Sequence, residues 1–364
     1  MTRVPELDGL RGIAILLVLT AHLIGLNGAG LVGVLIFFVL SGYLITSILI
    51  REHVERSRVD FRVFYMRRAL RLLPALAFLV ALVLALALLG VGVSDTTVAL
   101  RGALQAGLYA TNFAVGLDQE FAPELAHLWT LAVEEQFYVA WPVVLVLILR
   151  VARSRGDKQI RWIVWLLAAG VLARLVTILL SQEFGWFFYA LPTTWLDCFM
   201  AGALLATWTV SRSSSLRQPR WVSALPTSLS ILTITAVSLH PGAFLSSTTY
   251  VLGVPILTAA TVCLIGRAVL HPPDTYHGLL RMAPIQWLGD RSYGLYLFNS
   301  TCVLTAAVWL GSGLASRSAG ILAAVVLAEV SRRFIERPAL RLRSRASDHG
   351  VEPDVRGAHE RITG

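Results

Sequence analysis

Charge is scarce in this chain: Asp, Glu, Lys and Arg make up 15% of its 364 residues, against 56% hydrophobic. Soluble domains carry about a quarter charged residues, so that class is excluded. Polar–apolar alternation is missing too. The run "LLPALAFLVALVLALALLGVGV" (72–93) shows none, which argues against a β-barrel wall. Cysteine is sparse, and Cys198, Cys263 and Cys302 all lie in apolar runs with neither a disulfide framework nor metal-ligand spacing. No Walker motif, HExxH or GxSxG occurs, which argues against nucleotide hydrolysis, zinc peptidase action and a serine nucleophile elbow. There is no internal repeat, and so no trace of the inverted symmetry of secondary transporters.

What is present is apolar length. The mean hydropathy is +0.69, and runs able to cross a hydrocarbon core of about 30 Å recur throughout. Spans are expected near 10–26, 29–50, 72–92, 128–150, 161–181, 191–210, 221–239, 250–270, 286–310 and 314–333. The first is read as a retained helix, because Arg11 and His22 interrupt it and no small-residue cleavage site follows.

Basic residues orient these spans. Seven lie in 51–71, five in 150–161, three in 211–220 and two in 267–281, whereas 182–190 and 240–249 hold none. With ten spans, every basic connection falls on the cytoplasmic side together with both termini. A crossing at 97–116 would break that rule, so this stretch is expected to be re-entrant or interfacial on the outer side. The net charge of +9 therefore reports membrane orientation, and no nucleic-acid partner is expected. The reading is an all-α polytopic protein of the plasma membrane, with one membrane domain over 1–340 and a polar, disordered cytoplasmic tail over 341–364.

Ionisable groups inside these spans suggest function, because the bilayer makes them costly. Arg11 and His22 are eleven residues apart. That is about three helical turns, so they share a face roughly 16 Å apart along the axis. Glu134 and Glu135 enter their span at a depth comparable to His22. Glu134, Tyr138 and Trp141 share one face, and Glu135 points about 100° away. Either glutamate could instead pair structurally with an interhelical arginine such as Arg174. A facing carboxylate would orient His22 as a general base, although a lone histidine is often structural. His127, just before Trp129, is either an interfacial anchor or part of an outer mouth. In "YMRRALRLLP", Arg68 and Arg71 stand at i and i+3; with Arg11 and Arg291 they form a phosphate clamp or else plain topological anchors. Ser41, Gly42 and Tyr43 lie mid-membrane, where close helix packing is the alternative reading. Tyr293 follows the "WLGDRSYG" entry.

Taken together, "ELDGLRGIAILLVLTAH", "FFVLSGYLIT", "RRALRLLP", "HLWTLAVEEQFYVAWP", "DCFMAGALLA", "WLGDRSYGLYLFN" and "FIERPAL" resemble the membrane-integral O-acyltransferases of acyltransferase family 3 over residues 6–340. The resemblance implies transfer of an acyl group, often acetyl, from cytoplasmic acyl-CoA to a hydroxyl of a glycan, a cell-envelope polysaccharide or a glycosylated secondary metabolite. It implies His22 and Glu134 as catalytic residues. Arg11, Arg68, Arg71, Arg291, Ser41, Tyr43, Glu135, Asp197 and Tyr293 are then candidate substrate-binding residues. No metal and no permanently bound cofactor is expected. Trp195 stands where many members carry an arginine two residues before the aspartate of the "DCFMAG" piece, which bears on acceptor choice. The chain lacks the esterase-like domain fused to some members, so it is expected to work alone or with separate partners. Ser41, Tyr43 or Tyr293 would donate to the developing oxyanion, and the acyl group moves directly or through an acyl-histidine. The rival reading is a glycan or metabolite exporter that uses the same buried polar groups as a pathway.

Overall fold

The computed structural model describes residues 4–117, 120–152, 156–180, 186–211, 219–240, 242–243 and 246–340. The expected disordered tail, 341–364, lies outside them. Among the described residues there are helices and no strands.

Eight helical segments are long and apolar enough to cross a membrane. They are built on α1 (Pro5–Ile24), α2 (Asn27–Arg56), α3 (Phe61–Leu88), α6 (Trp129–Val151, preceded by a 3₁₀ turn Pro123–Leu128), α7 (Gly156–Leu180), α11 (Val254–Leu270), α13 (Ala283–Leu310) and α14 (Leu314–Ser331). Two shorter apolar helices, α9 (Leu196–Ser211) and α10 (Ala224–Leu239), fall where two further spans are expected. This is a multi-pass integral membrane protein.

The doubtful stretch resolves into two short helices, α4 (Thr96–Gly107) and α5 (Thr111–Gly116), with α8 (Trp186–Ala190) and α12 (Thr275–Leu280) as further short pieces. At 1.5 Å per residue, α4 reaches about 18 Å, too little to cross. It breaks at Tyr109, a non-glycine residue at φ 51°. The α6 side chain of Gln136 ties that corner, donating to the Tyr109 carbonyl at 2.9 Å and to Asn112 Oδ1 at 2.9 Å.

One boundary differs instructively from the sequence reading. α3 begins eleven residues before the expected 72, with Asp60 as N-cap accepting from the Val63 amide at 3.0 Å. The basic stretch before Pro74 is thus a helical turn set rather than a loop. Arg68 and Arg71 therefore share one face.

The core is the packing of α2 on α9, with α1 between α2 and α13 and α14 behind α13. Glycine permits the closest approach. A Cβ on Gly42 would collide with the Phe199 carbonyl of α9, and one on Gly202 with the Val39 carbonyl of α2. Such small-residue contacts let backbones close up where no water drives association. Phe38 fills the adjoining space against Trp129, Trp195 and Phe199.

Candidate active site

A cavity of about 350 Å³ opens between α1, α2, α3, α6 and α13. One end is cationic: Arg11, Arg51, Arg68 and Arg71 line it, with Asp8 beside them. Farther in, Ser41, Glu134 and Tyr138 join the lining, among apolar residues of α2 such as Leu44 and Ile45. At the opposite end the lining includes Val34, Phe37, Thr130 and Tyr296.

Each polar group is held by its helix neighbours. Glu134 Oε1 accepts from Ser41 Oγ at 2.5 Å and from the Tyr138 hydroxyl at 2.5 Å. Tyr138 lies one turn on, the face shared by the i, i+4 spacing. Glu135 faces away and takes Arg68 in a two-pronged pair through Nε and Nη2. The Arg68 guanidinium also lies 3.1 Å from the centre of the Tyr138 ring. Charge pairing and ring contact together fix Arg68 in place.

Arg11 and Arg71 differ. Arg71 sits in the fields of both Arg11 and Arg68. Among the described residues neither Arg11 nor Arg71 has a hydrogen-bonded carboxylate partner. Asp8 and Glu134 share the lining, but two guanidinium groups turned toward a cavity with their N–H donors not taken by a carboxylate can bind an anion by their donor geometry.

His22 and Glu134 do not meet in a hydrogen bond. His22 Nδ1 donates to the Val18 carbonyl one turn back, at 2.9 Å. A carbonyl only accepts, so Nδ1 carries the proton and Nε2 is the bare nitrogen. His22 is not in the cavity lining; it stands about three turns past Arg11 along α1. The Thr130 and Tyr296 hydroxyls are hydrogen-bonded to each other, and Tyr296 also donates to the His127 carbonyl at 2.8 Å. This hydroxyl pair forms a roof over the end of the cavity away from the arginines.

The remaining expected residues fall elsewhere. Tyr43 and Tyr293 line the cavity, but the Tyr293 hydroxyl is committed to the Leu72 carbonyl at 2.8 Å. Arg291 leaves the cavity to pair with Glu329 at 2.6 Å and to stack on Trp287. Asp197 is buried away from it and pairs with Arg174, wholly buried, at 2.6 Å. Arg174 therefore pairs with Asp197 rather than with either glutamate, and it supplies the guanidinium beside Asp197 that Trp195 does not.

Sequence reasoning missed three features. Arg51 lines the cavity, where its position suggested only an orienting charge. Thr130 forms half of the roof. Glu124 staples the 3₁₀ turn to the α3–α4 corner, accepting from the Val93 and Ser94 amides at 2.9 and 2.8 Å and from Ser94 Oγ at 2.5 Å. The available signal was a carboxylate just before α6 with no arginine or lysine next to it.

Outside the membrane region, Asp274 caps α12 and gathers Arg267 and His277. Partial burial alone would raise its carboxyl, but the His277 and Arg267 contacts outweigh that and hold it at about 2.

An acyltransferase domain family matches residues 4–329, nine-tenths of the chain. The chain belongs to this acyltransferase family. Among its relatives, O-acetyltransferase OatA of Staphylococcus aureus is 32% identical over 92% of this chain and 57% of its own length. Peptidoglycan O-acetyltransferase OatA of Listeria monocytogenes is 29% identical over 92% of this chain and 55% of its own length. The chain thus spans just over half the length of these relatives. No solved structure matches it.

Proposed function

We propose that this protein is a membrane O-acyltransferase that moves an acetyl group from cytoplasmic acyl-CoA to a hydroxyl of a cell-envelope glycan. The names of the relatives, one of them a peptidoglycan O-acetyltransferase, make peptidoglycan the first acceptor to try. The observation that carries the donor assignment is the arginine pair Arg11 and Arg71, lining the cavity with no carboxylate hydrogen-bonded to either among the described residues. In the proposed orientation the chain crosses ten times, and both termini and this end of the cavity are cytoplasmic.

The donor's phosphates lie on Arg11, Arg71 and Arg51. Its acyl arm runs past Ser41 and Glu134 toward the roof. His22 stands on the same helix as Arg11, about 16 Å farther along the axis. Thr130 and Tyr296 must part to let the thioester reach its Nε2. His22 then acts as general base or acyl carrier with its Nδ1 proton held on Val18. Glu134, bound to Ser41 and Tyr138, serves the donor channel rather than polarising His22.

The test is release of free CoA from acetyl-CoA by the purified full chain in liposomes, with and without soluble peptidoglycan fragments. Wild type releases CoA, and His22→Ala, inserted normally, does not. CoA release by His22→Ala at the wild-type rate would overturn the reading.

A further inference from the structure

His127 is the buried titratable group that the proposed chemistry leaves unused. Its Nε2 lies 2.9 Å from the Leu297 carbonyl of α13, so that nitrogen carries the proton and Nδ1 is the bare one. Nδ1 is closed off from solvent and meets no hydrogen-bond donor, although the Glu124 carbonyl lies close to the ring. An unsatisfied buried nitrogen is destabilising and calls for an explanation. The group is also rigidly held. Glu124 anchors its turn through three hydrogen bonds and, by its carbonyl, accepts from Thr301 at 2.8 Å. The Tyr296 ring packs at 5.8 Å from the imidazole.

His22 is its electrostatic neighbour. The two imidazoles are built alike. Each gives its one N–H to a backbone carbonyl, and each keeps a bare nitrogen. They come from different elements, one ending α1 and the other preceding α6.

We infer that His127 is a second catalytic base, which takes the acceptor's hydroxyl proton on Nδ1, uncovered when Thr130 and Tyr296 part, while His22 carries the acyl group. The inference rests on the acyl-transfer reading above. In the first step His22 Nε2 attacks the thioester carbon, the C–S bond breaks, and CoA leaves as thiolate. His22 is then an acyl-imidazolium with its Nδ1–H still on Val18. In the second step the acceptor oxygen attacks the acyl carbon as its proton passes to His127 Nδ1. The N–acyl bond breaks and neutral His22 returns. His127 gives its proton to water and the thiolate takes one from water, so the sum is one ester and one CoA thiol.

The experiment separates the two steps in proteoliposomes holding the full chain. A rapid-mix measurement reads the CoA burst from acetyl-CoA alone, and a second reads acetyl transfer to soluble peptidoglycan fragments. His127→Gln can keep an N–H toward Leu297 but offers no base. It is expected to hold the burst within about 2-fold and to lose about 10²-fold in transfer. In His127→Ala, added imidazole restores part of the transfer. Transfer by His127→Gln within about 3-fold of wild type overturns the inference. So does loss of burst and transfer together in a variant with an unchanged melting temperature. If wild type itself releases no CoA, the acyl-transfer reading falls and takes this inference with it.

Discussion

Single side chains divide here into those that are satisfied and those that are not. Glu135 and Arg68 satisfy each other, so removing one strands the other in a poorly hydrated place. Glu135→Gln should lower stability by about 3 kcal/mol, read as a fall in melting temperature in detergent, with Arg68→Lys milder. Arg71 is the opposite case. No side chain is hydrogen-bonded to it among the described residues, so Arg71→Ala should change the melting temperature less than Glu135→Gln does. Its effect belongs to the donor: a lost charge-assisted contact of about 1.5–3 kcal/mol raises the KM for acetyl-CoA about 10- to 100-fold. An unchanged KM would return Arg71 to membrane anchoring. Arg11, Arg71, Ser41, Tyr43, Glu134 and Tyr293, candidates through the family resemblance and their depth in the spans, line one cavity; helical spacing alone fixed only faces within each helix. The sequence could not pair Arg174 with Asp197 or Arg291 with Glu329. Those contacts cross between helices, and a single sequence records faces but not which faces meet.

Elements carry a second set of consequences. The α2–α9 contact tolerates no Cβ at Gly42 or Gly202 because backbone carbonyls, which cannot rotate away, stand in the path. Gly42→Ala should cost about 2 kcal/mol or more through forced separation of the two helices. Denaturation of the purified protein would measure it, and a neutral result would mean that α9 slides freely. At α12, Asp274 holds its carboxyl at about 2, below its ordinary 3.8. Its stabilisation is therefore complete above about pH 4 and lost as pH falls through about 2. Asp274→Asn should remove that acid-range dependence. The long helices were legible in the sequence through apolar length and the placement of arginine. The start of α3 was not, because seven basic residues read as a loop while the Asp60 cap that begins the helix is a one-residue signal.

At the scale of the whole molecule, the orientation is a claim about which face meets which compartment. All three cysteines are buried, so single cysteines introduced on the surface are the ones a labelling reagent reaches. An impermeant maleimide added to intact cells should label a cysteine placed at Asp95 and miss one placed at Ser57. The reverse pattern would invert the proposed topology and put the arginine mouth outside. An exporter built on this scaffold would need a continuous path, whereas the hydrogen-bonded hydroxyl pair of Thr130 and Tyr296 lies across the end of the cavity away from the arginines. The sequence showed polar residues at both depths. The roof depends on one threonine touching one tyrosine 166 positions away, and no spacing rule could have located it.

That roof has an electrical consequence. With His22 and His127 working as inferred, a proton is consumed on the CoA side of the roof and another is released on the glycan side. One positive charge is thereby displaced outward for each acetyl group, although the acetyl itself is neutral. Moving a unit charge through 100 mV costs about 2.3 kcal/mol, so an inside-negative membrane opposes the reaction and a depolarised one favours it. In proteoliposomes clamped by a potassium gradient and valinomycin, acetyl transfer should slow as the interior is made negative. The enzyme would then act as a small generator, driven by thioester cleavage and loaded by the membrane potential.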